Sequence, residues 1–402
     1  MAVSTSSIDL SAIQALDEHV HPFGGESAVL TTDLLRDSIS VSLRGISSVM
    51  NETMLLSRIT VRELGNLLDC EPTFEAVVAA RNELASQSYS AYIGKIFRAQ
   101  NISGLLVDPG FPAEPVHRGE DFAALMPVPI WEGYRIERFF PNGGSFNGEA
   151  DTAPVQSFDA MLAAFEAKLD EEAARPGFAF YKTIMAYRTG LAIRPTSRVE
   201  AAAAWDAHRT YGDSHEKVIR DYLLHVTCRK ARQYDVPVQI HTGHTSHNNP
   251  WPNVNPILMT PFLNLDEIHD TKLVLIHCGY PYSTEAGYLT SIYPLVWTDL
   301  SLMIPWASYG IALRIEQVLE SAPTGKVLYG SDAINIPELN WLGALVGRKG
   351  LAQALGSIAA AGYLNLAEVD EVAADILHRN AEKLYDLPNR AAVPAAALTR
   401  SQ

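Results

Sequence analysis

Eight short apolar runs, most of them closed by a polar residue and followed by helical periodicity, constrain this chain more than any other feature. They end near His21 for the first run and otherwise lie at 102–108, 126–130, 177–182, 236–241, 273–277, 295–300 and 326–329. The third leads into Tyr134, Arg135 and Ile136. Strand-length runs alternating with helices argue for parallel βα units. Alternation alone does not separate a closed barrel from an open doubly wound sheet. No strand is followed by the G-x-G-x-x-G turn of a dinucleotide site. Chemically capable residues close the first, fourth, fifth, sixth and eighth runs, and the C-terminal rim is where (β/α)8 barrels assemble their sites. The expected fold is α/β, a (β/α)8 TIM barrel with a helical insertion after strand 1.

At 402 residues the chain has room for one large barrel or for two ordinary domains. We divide it into a leader and first barrel strand at 1–30, a helical insertion at 31–100, the remainder of the barrel at 101–388 and a tail at 389–402. The insertion rests on Leu34, Leu35 and Ile39, on Leu64, Leu67 and Leu68, and on a series from Val77 to Leu84, mostly at helical spacing. Thr73 is placed to cap a helix that starts near Phe74. An insertion of this kind serves as a lid or as an interface between copies, and a homo-oligomer is expected. The part from Leu342 to Tyr385 reads as helical, and a disordered or loosely packed tail is expected beyond Asp386.

The charge balance excludes some partners. Lysine and arginine total 31 against 46 acidic residues, a net −15, and no basic run offsets it. Nucleic acid and anionic membrane are therefore not expected partners. The N-terminal stretch lacks the basic segment and apolar core of a secretory signal, and no apolar run is long enough to span a bilayer. Cys70, Cys228 and Cys278 are widely separated, lack metal-type spacing, and fit a reducing compartment as small apolar residues. A cytoplasmic location follows as the expectation.

His19 and His21 begin the chemistry. Side chains at i and i+2 of a strand share a face, so the two imidazoles aim at one point, which suits a borderline metal such as zinc. Lys182, His241, His277 and Asp332 stand at the ends of later runs and complete a six-residue candidate centre. Each has a plainer alternative: a hydrogen-bonded histidine, a buried lysine in an ion pair, an aspartate capping a helix. Their joint occurrence at strand ends favours a metal site.

The segments DEHVHPF at 17–23, FYKTIMAYRTGL at 180–191, IHTGH at 240–244, NPILMTPFL at 255–263, LVLIHCGYPYSTEAGYLTSIYPLVWTDLS at 273–301, YGSDA at 329–333 and ILHRNAEKLY at 376–385 resemble the amidohydrolase superfamily. Within it, the likeness is to the amidohydrolase-related branch that includes the N-terminal domains of fungal FluG and of plant nodulin/glutamine-synthetase fusions. Fusion members continue into a glutamine-synthetase domain that this sequence does not contain, so no ligase activity is expected. The loop at 244–249 departs from the acidic Gly-Asp type of relatives, which bears on the substrate.

The resemblance implies that His19, His21 and Asp332 hold a buried metal, that His241 and His277 hold a second, more exposed one, and that Lys182 bridges them as an N-carboxylated lysine. One or two divalent ions are implied, with zinc first and manganese or iron as alternatives. A free ammonium has no acceptor and cannot ligate a cation, whereas a carbamate offers oxygens. Asp332, His277 and Lys182 would carry catalysis, with Asp332 moving the proton of a metal-activated water. The expected reaction is hydrolysis of a C–N amide bond of a small molecule, for instance a γ-glutamyl or other amino-acid amide.

Substrate contacts are expected from Tyr187, Arg188, Tyr280, Tyr282 and His244. Arg188 suits a substrate carboxylate, with an ion pair to a loop acid as its alternative. Tyr280 and Tyr282 line the pocket or pack in the core. Trp251 and Trp306 wall an apolar subsite or merely pack, and His244 and His247 are pocket donors or extra ligands. Two rival functions stand beside hydrolysis. One is a metal-dependent decarboxylase of the same superfamily, which uses one metal and no ligating lysine. The other is a binding barrel without catalysis.

Overall fold

The computed structural model describes residues 8–24, 28–40, 48–111, 116–139, 157–211, 215–245 and 249–395. Eight parallel strands follow one another in sequence order: β1 (Ala15–Val20), β2 (Ile102–Val107), β3 (Ile130–Arg135), β4 (Phe178–Thr183), β5 (Val238–His241), β6 (Leu273–Ile276), β7 (Val296–Asp299) and β8 (Val327–Leu328). Each pairs with the next in parallel register. The ring closes through backbone bonds rather than a regular ladder: Glu18 N donates to Tyr329 O at 3.1 Å, and Asp332 N donates to His19 O at 2.8 Å. This closure brings the first and last strand ends together, and both carry candidate ligands.

The strands match the apolar runs. The third is displaced: Ile130 opens it, and the preceding apolar residues lead in. Its two faces are both buried, as expected for a sheet wrapped by helices. Inside the barrel, Leu16, Leu106, Trp131, Phe180, Val274, Ile276 and Leu328 fill the lower half with Leu384 and Tyr385 from the C-terminal helices. Phe180 lies against Gly133 of the neighbouring strand, where any Cβ would overlap the ring. These side chains form a packed floor beneath the C-terminal rim.

Residues 31–100 are helical where described, in Thr32–Ser38, Leu55–Leu68, Phe74–Gln87 and Tyr89–Ala99. Thr73 caps the third of these, accepting from Ala76 N at 3.2 Å. Leu56, Leu64, Val77, Ile93 and Phe97 share one apolar cluster with Val20, Val107 and Trp341 of the barrel. A fully buried ion pair, Arg81 Nε to Glu338 Oε1 at 2.7 Å, ties the insertion to the helix Glu338–Ala360.

The segment after Asp386 departs from expectation. Residues 387–395 pack on the lower end of the barrel. Arg390 Nη1 donates to Phe178 O at 2.9 Å, Arg390 O accepts from Trp131 Nε1 at 3.1 Å, and Val393 N donates to Ile130 O at 2.9 Å. The starts of β3 and β4 need partners for these groups, and the Arg390 guanidinium and the backbone of the tail supply them. Among the described residues, no helix is long and apolar enough to cross a membrane. The three cysteines are unpaired with one another; Cys228 and Cys278 are buried and Cys70 is half-buried.

Candidate metal centre

His19 sits inside β1 and His21 just beyond it, both buried. A register irregularity between Asp17 and Val20 re-aims this strand end. Asp332 follows β8 with a left-handed backbone, φ 55°. Its Oδ1 lies 3.3 Å from Nε2 of His19 and 3.2 Å from Nε2 of His21. That oxygen is buried and receives no well-directed hydrogen bond. One ligand atom from each of the three residues falls within 4.8 Å of the others.

The tautomer of His21 sharpens the point. Its Nδ1 lies 3.0 Å from the backbone oxygen of Asp108, which can only accept. Nδ1 therefore carries the proton, and the Nε2 of a neutral imidazole presents its lone pair to Asp332 Oδ1. In that neutral form an imidazole lone pair and a carboxylate oxygen face each other, an arrangement that a divalent cation fits.

Lys182, 1% exposed at the end of β4, joins the same group. Its Nζ is 2.7 Å from His19 Nε2 and 2.8 Å from Asp108 Oδ2. Asp108 Oδ2 also accepts from Arg135, at 3.0 Å from Nε and 2.6 Å from the terminal nitrogen. Parallel register places Arg135 directly beside Lys182. Burial alone would raise the Asp108 carboxyl, but Arg135 and Lys182 outweigh it and hold the group well below the usual carboxylate range. Burial lowers Lys182, against the pull of Asp108.

His277 and His241 border the centre from β6 and β5. Their ring centroids are 4.4 Å apart, and that of His277 is 5.5 Å from His19. His277 has φ 74° and is followed by Cys278 at 41° and Gly279 at 60°, a left-handed run that turns the chain sharply over the rim. Gly279 packs backbone to backbone on Gly243, where a Cβ would overlap it. His277 Nδ1 lies 2.8 Å from Ser301 Oγ. His241 Nε2 lies 2.8 Å from the backbone oxygen of His244, so its proton is on Nε2 and its lone pair on Nδ1.

Burial holds both His241 and His277 well below the usual imidazole range, and burial with Lys182 pushes His19 down to about 4. All three are neutral at physiological pH, the form that ligates. Burial would raise Asp332, but His277, His19 and His21 overcome it and keep the group well below its usual range. Asp332 is therefore an anion at neutral pH.

The remaining expected residues divide. The Tyr187 ring stacks on His241 with centroids 4.1 Å apart. His244 is near Trp251, which is 42% exposed. Arg188 lies near Arg220, disfavouring its charge, on the side of the helix Glu216–Gln233. Tyr280 lies under Arg314 at 5.5 Å, and Tyr282 packs against the apolar core. Trp306 also packs on the core, and His247 falls outside the described residues.

Four participants escaped the sequence reading: Asp108, Arg135, Asp299 and Ser301. Asp108 and Asp299 each close an apolar run, the same signal that marked Lys182 and His277. Phe111, 42% exposed, is a fifth: its ring lies between His21, at 5.6 Å, and the Arg135 guanidinium, also at 5.6 Å.

A parallel eightfold barrel with a His-x-His strand and an aspartate converging at its C-terminal rim defines a class of metal-dependent enzymes. The chain belongs to the amidohydrolase family, whose model, described as Amidohydrolase, matches residues 152–387. It is 24% identical over 417 residues to protein FluG of Emericella nidulans, an alignment covering 96% of this chain. The chain spans about half, 47%, of that relative's length. A crystal structure from Lactobacillus casei, provisionally described as a metal-dependent hydrolase, superposes with a TM-score of 0.80 at 26% identity, covering 94% of this chain and 96% of that one. A uronate isomerase from Bacillus halodurans shares the fold, with a TM-score of 0.63 at 13% identity and 94% of each chain covered.

Proposed function

We propose that this protein is a metal-dependent hydrolase that cleaves a C–N amide bond of a small molecule, such as a γ-glutamyl or other amino-acid amide. The observation that carries the reading is the buried Asp332 Oδ1, without a well-directed hydrogen bond and facing two imidazole nitrogens at 3.3 and 3.2 Å. His19, His21 and Asp332 hold the ion, with His277, His241 and a carboxylated Lys182 as the further ligands, and zinc is the first choice of metal. A bound divalent ion supplies Lewis acidity and lowers the pKa of water to about 7.

The chain's own groups supply the rest. Asp332, anionic at neutral pH, takes a proton from water and returns it to the leaving amine. Phe111 and Tyr187 border the centre from the β2 and β4 ends and exclude water from its sides. Tyr187, His244 and Arg188 are the proposed substrate contacts, the last reading a carboxylate. The protein acts in the cytoplasm and forms a homo-oligomer in this reading.

A second reading has a specific observation in its favour. The 2.8 Å pair between Lys182 and Asp108 is one that a free ammonium makes with its full charge, and a free amine with one metal fits decarboxylation.

Metal analysis and an Asp332→Asn variant test the proposal. The purified protein should retain a stoichiometric divalent metal and hydrolyse members of an amide panel. Asp332→Asn should keep the metal and lose most turnover. Full activity in that variant refutes the assignment, and a protein with no stoichiometric metal returns the binding-barrel reading.

A further inference from the structure

The turn after β8 is tied to β1 at every second residue of that strand. Asp17, fully buried, accepts from Ser331 N on Oδ1 at 2.8 Å and from the Ser331 hydroxyl on Oδ2 at 2.6 Å. His19 O accepts from Asp332 N at 2.8 Å, and His21 N donates to Ala333 O at 2.8 Å. Ser331 Oγ, its one hydrogen given to Asp17, accepts from Ala333 N at 3.1 Å. The residues on both sides of Asp332 are thereby held.

Asp332 lies between them with φ 55°, a left-handed backbone that a residue with a Cβ keeps only where its surroundings over-determine it. The turn is packed on both flanks. A Cβ on Gly330 would lie 2.8 Å from Ser301 Cβ, and one on Gly343 of the helix Glu338–Ala360 would lie 2.5 Å from Ser331 Cβ. Asn340 of that helix adds a 3.4 Å contact to Asp17 Oδ2. The conformation of this turn sets where Asp332 Oδ1 stands, 3.3 and 3.2 Å from Nε2 of His19 and His21.

We propose that Asp17 is a positioning residue that, through Ser331, fixes the left-handed turn presenting Asp332 Oδ1 to His19 and His21. The purpose of the clamp rests on the metal-centre reading, and the clamp itself rests on the hydrogen bonds. An aspartate suits the task because its two oxygens serve two donors of one residue, the N–H and the hydroxyl of Ser331. An asparagine has a single acceptor oxygen for both.

Two measurements test it. In wild-type protein stripped of metal with a chelator, the amide hydrogens of Ser331, Asp332 and Ala333 should exchange as slowly as those of the barrel strands, because the clamp needs no ion. Exchange as fast as that of an exposed loop overturns the proposal, even where the variants do not fold. The second measurement is metal binding by Ser331→Ala and Asp17→Asn. Each should bind zinc roughly tenfold or more weakly than wild type. Cobalt(II) in place of zinc should give an altered visible spectrum in both variants, because a displaced ligand oxygen changes the ligand field. Arg390→Ala removes hydrogen bonds at the lower end of the barrel and serves as the control for stability alone. It should leave zinc affinity and the cobalt spectrum as in wild type. Unchanged affinity in the folded Ser331→Ala and Asp17→Asn proteins overturns the positioning role, and so does an equal loss in Arg390→Ala. A wild type that binds no zinc defeats the hydrolase reading instead, while the exchange measurement, made without metal, still decides the clamp.

Discussion

Asp108 gathers Lys182 and Arg135 onto a single carboxylate oxygen, the lysine at 2.8 Å and the arginine at 2.6 and 3.0 Å. Three strand ends are thereby locked to one another immediately beside His19 and His21. Asp108 bridges the two halves of the site twice, since its backbone oxygen also fixes the tautomer of His21.

In the metal-free protein with Lys182 as a free ammonium, replacing Asp108 by Asn removes the counter-charge and leaves two buried cations side by side. Breaking a buried pair in this way costs about 3–5 kcal/mol. Asp108→Asn should therefore lower the denaturant midpoint by a corresponding amount, without changing the slope of the transition. A loss below about 1 kcal/mol, typical of a solvent-exposed pair, would show that the three groups do not meet in a dry environment.

The same contact is compatible with carboxylation of Lys182. A carbamate keeps one N–H, which can still donate to Asp108 Oδ2, and Arg135 offsets the added negative charge. Burial already favours the neutral amine from which a carbamate forms. In labelled bicarbonate, carbon NMR should show a carbamate signal that Lys182→Met lacks. With metal bound and no such signal, the one-metal lyase reading takes precedence.

Much of this architecture was legible in the residues. Strand-length runs closed by His241, His277 and Lys182 were visible because a parallel barrel buries both faces of its strands, so each apolar run stops where the rim begins. Asp108 and Asp299 carry the same mark, but nothing in the sequence shows that one would gather Lys182 and Arg135 and the other hold the backbone of His277. Ser301 carries no local signal at all: its role exists only because β7 lies beside β6, which is a property of strand order. The packed segment at 387–395 was illegible for a related reason. Its short run of alanines broken by Pro394 looks unstructured until the open ends of β3 and β4 present groups to satisfy.

His19 makes the metal-free protein sensitive to acid with a defined sign. An unfolded histidine titrates near 6.5, while burial and Lys182 push His19 down to about 4. The unfolded chain therefore binds this proton first as pH falls. The contribution is complete above about 6.5 and is lost toward pH 4, reaching about 3 kcal/mol. Asp17, raised to about 7 by burial, and Asp299, raised to about 6 by burial, act with the opposite sign, because the folded carboxyls bind protons first. Wild type should be compared with His19→Asn, both in chelator, which cancels those carboxyls. Between pH 7 and 4 the wild type should lose stability faster than the variant, and parallel curves would show that His19 is not buried as a neutral ring.

Gly133 and Phe180 connect the barrel floor to the same centre. They are register partners on β3 and β4, and two residues further along, the next same-face pair is Arg135 beside Lys182. Gly133 has ordinary extended backbone, so its lack of a side chain serves the Phe180 ring rather than a turn. Gly133→Ala should cost at least the 1–3 kcal/mol or so of an overpacked core. Phe180→Leu alone leaves space, and in the Gly133→Ala background that space receives the new methyl. The double variant should therefore be more stable than the sum of the single losses predicts, by about 0.5–3 kcal/mol in a double-mutant cycle. Because displacement of β4 at Phe180 is carried to Lys182, Gly133→Ala should also weaken zinc binding, and Phe180→Leu should partly restore it in that background. Strict additivity, with zinc affinity unaltered, would show that the floor and the rim are mechanically independent.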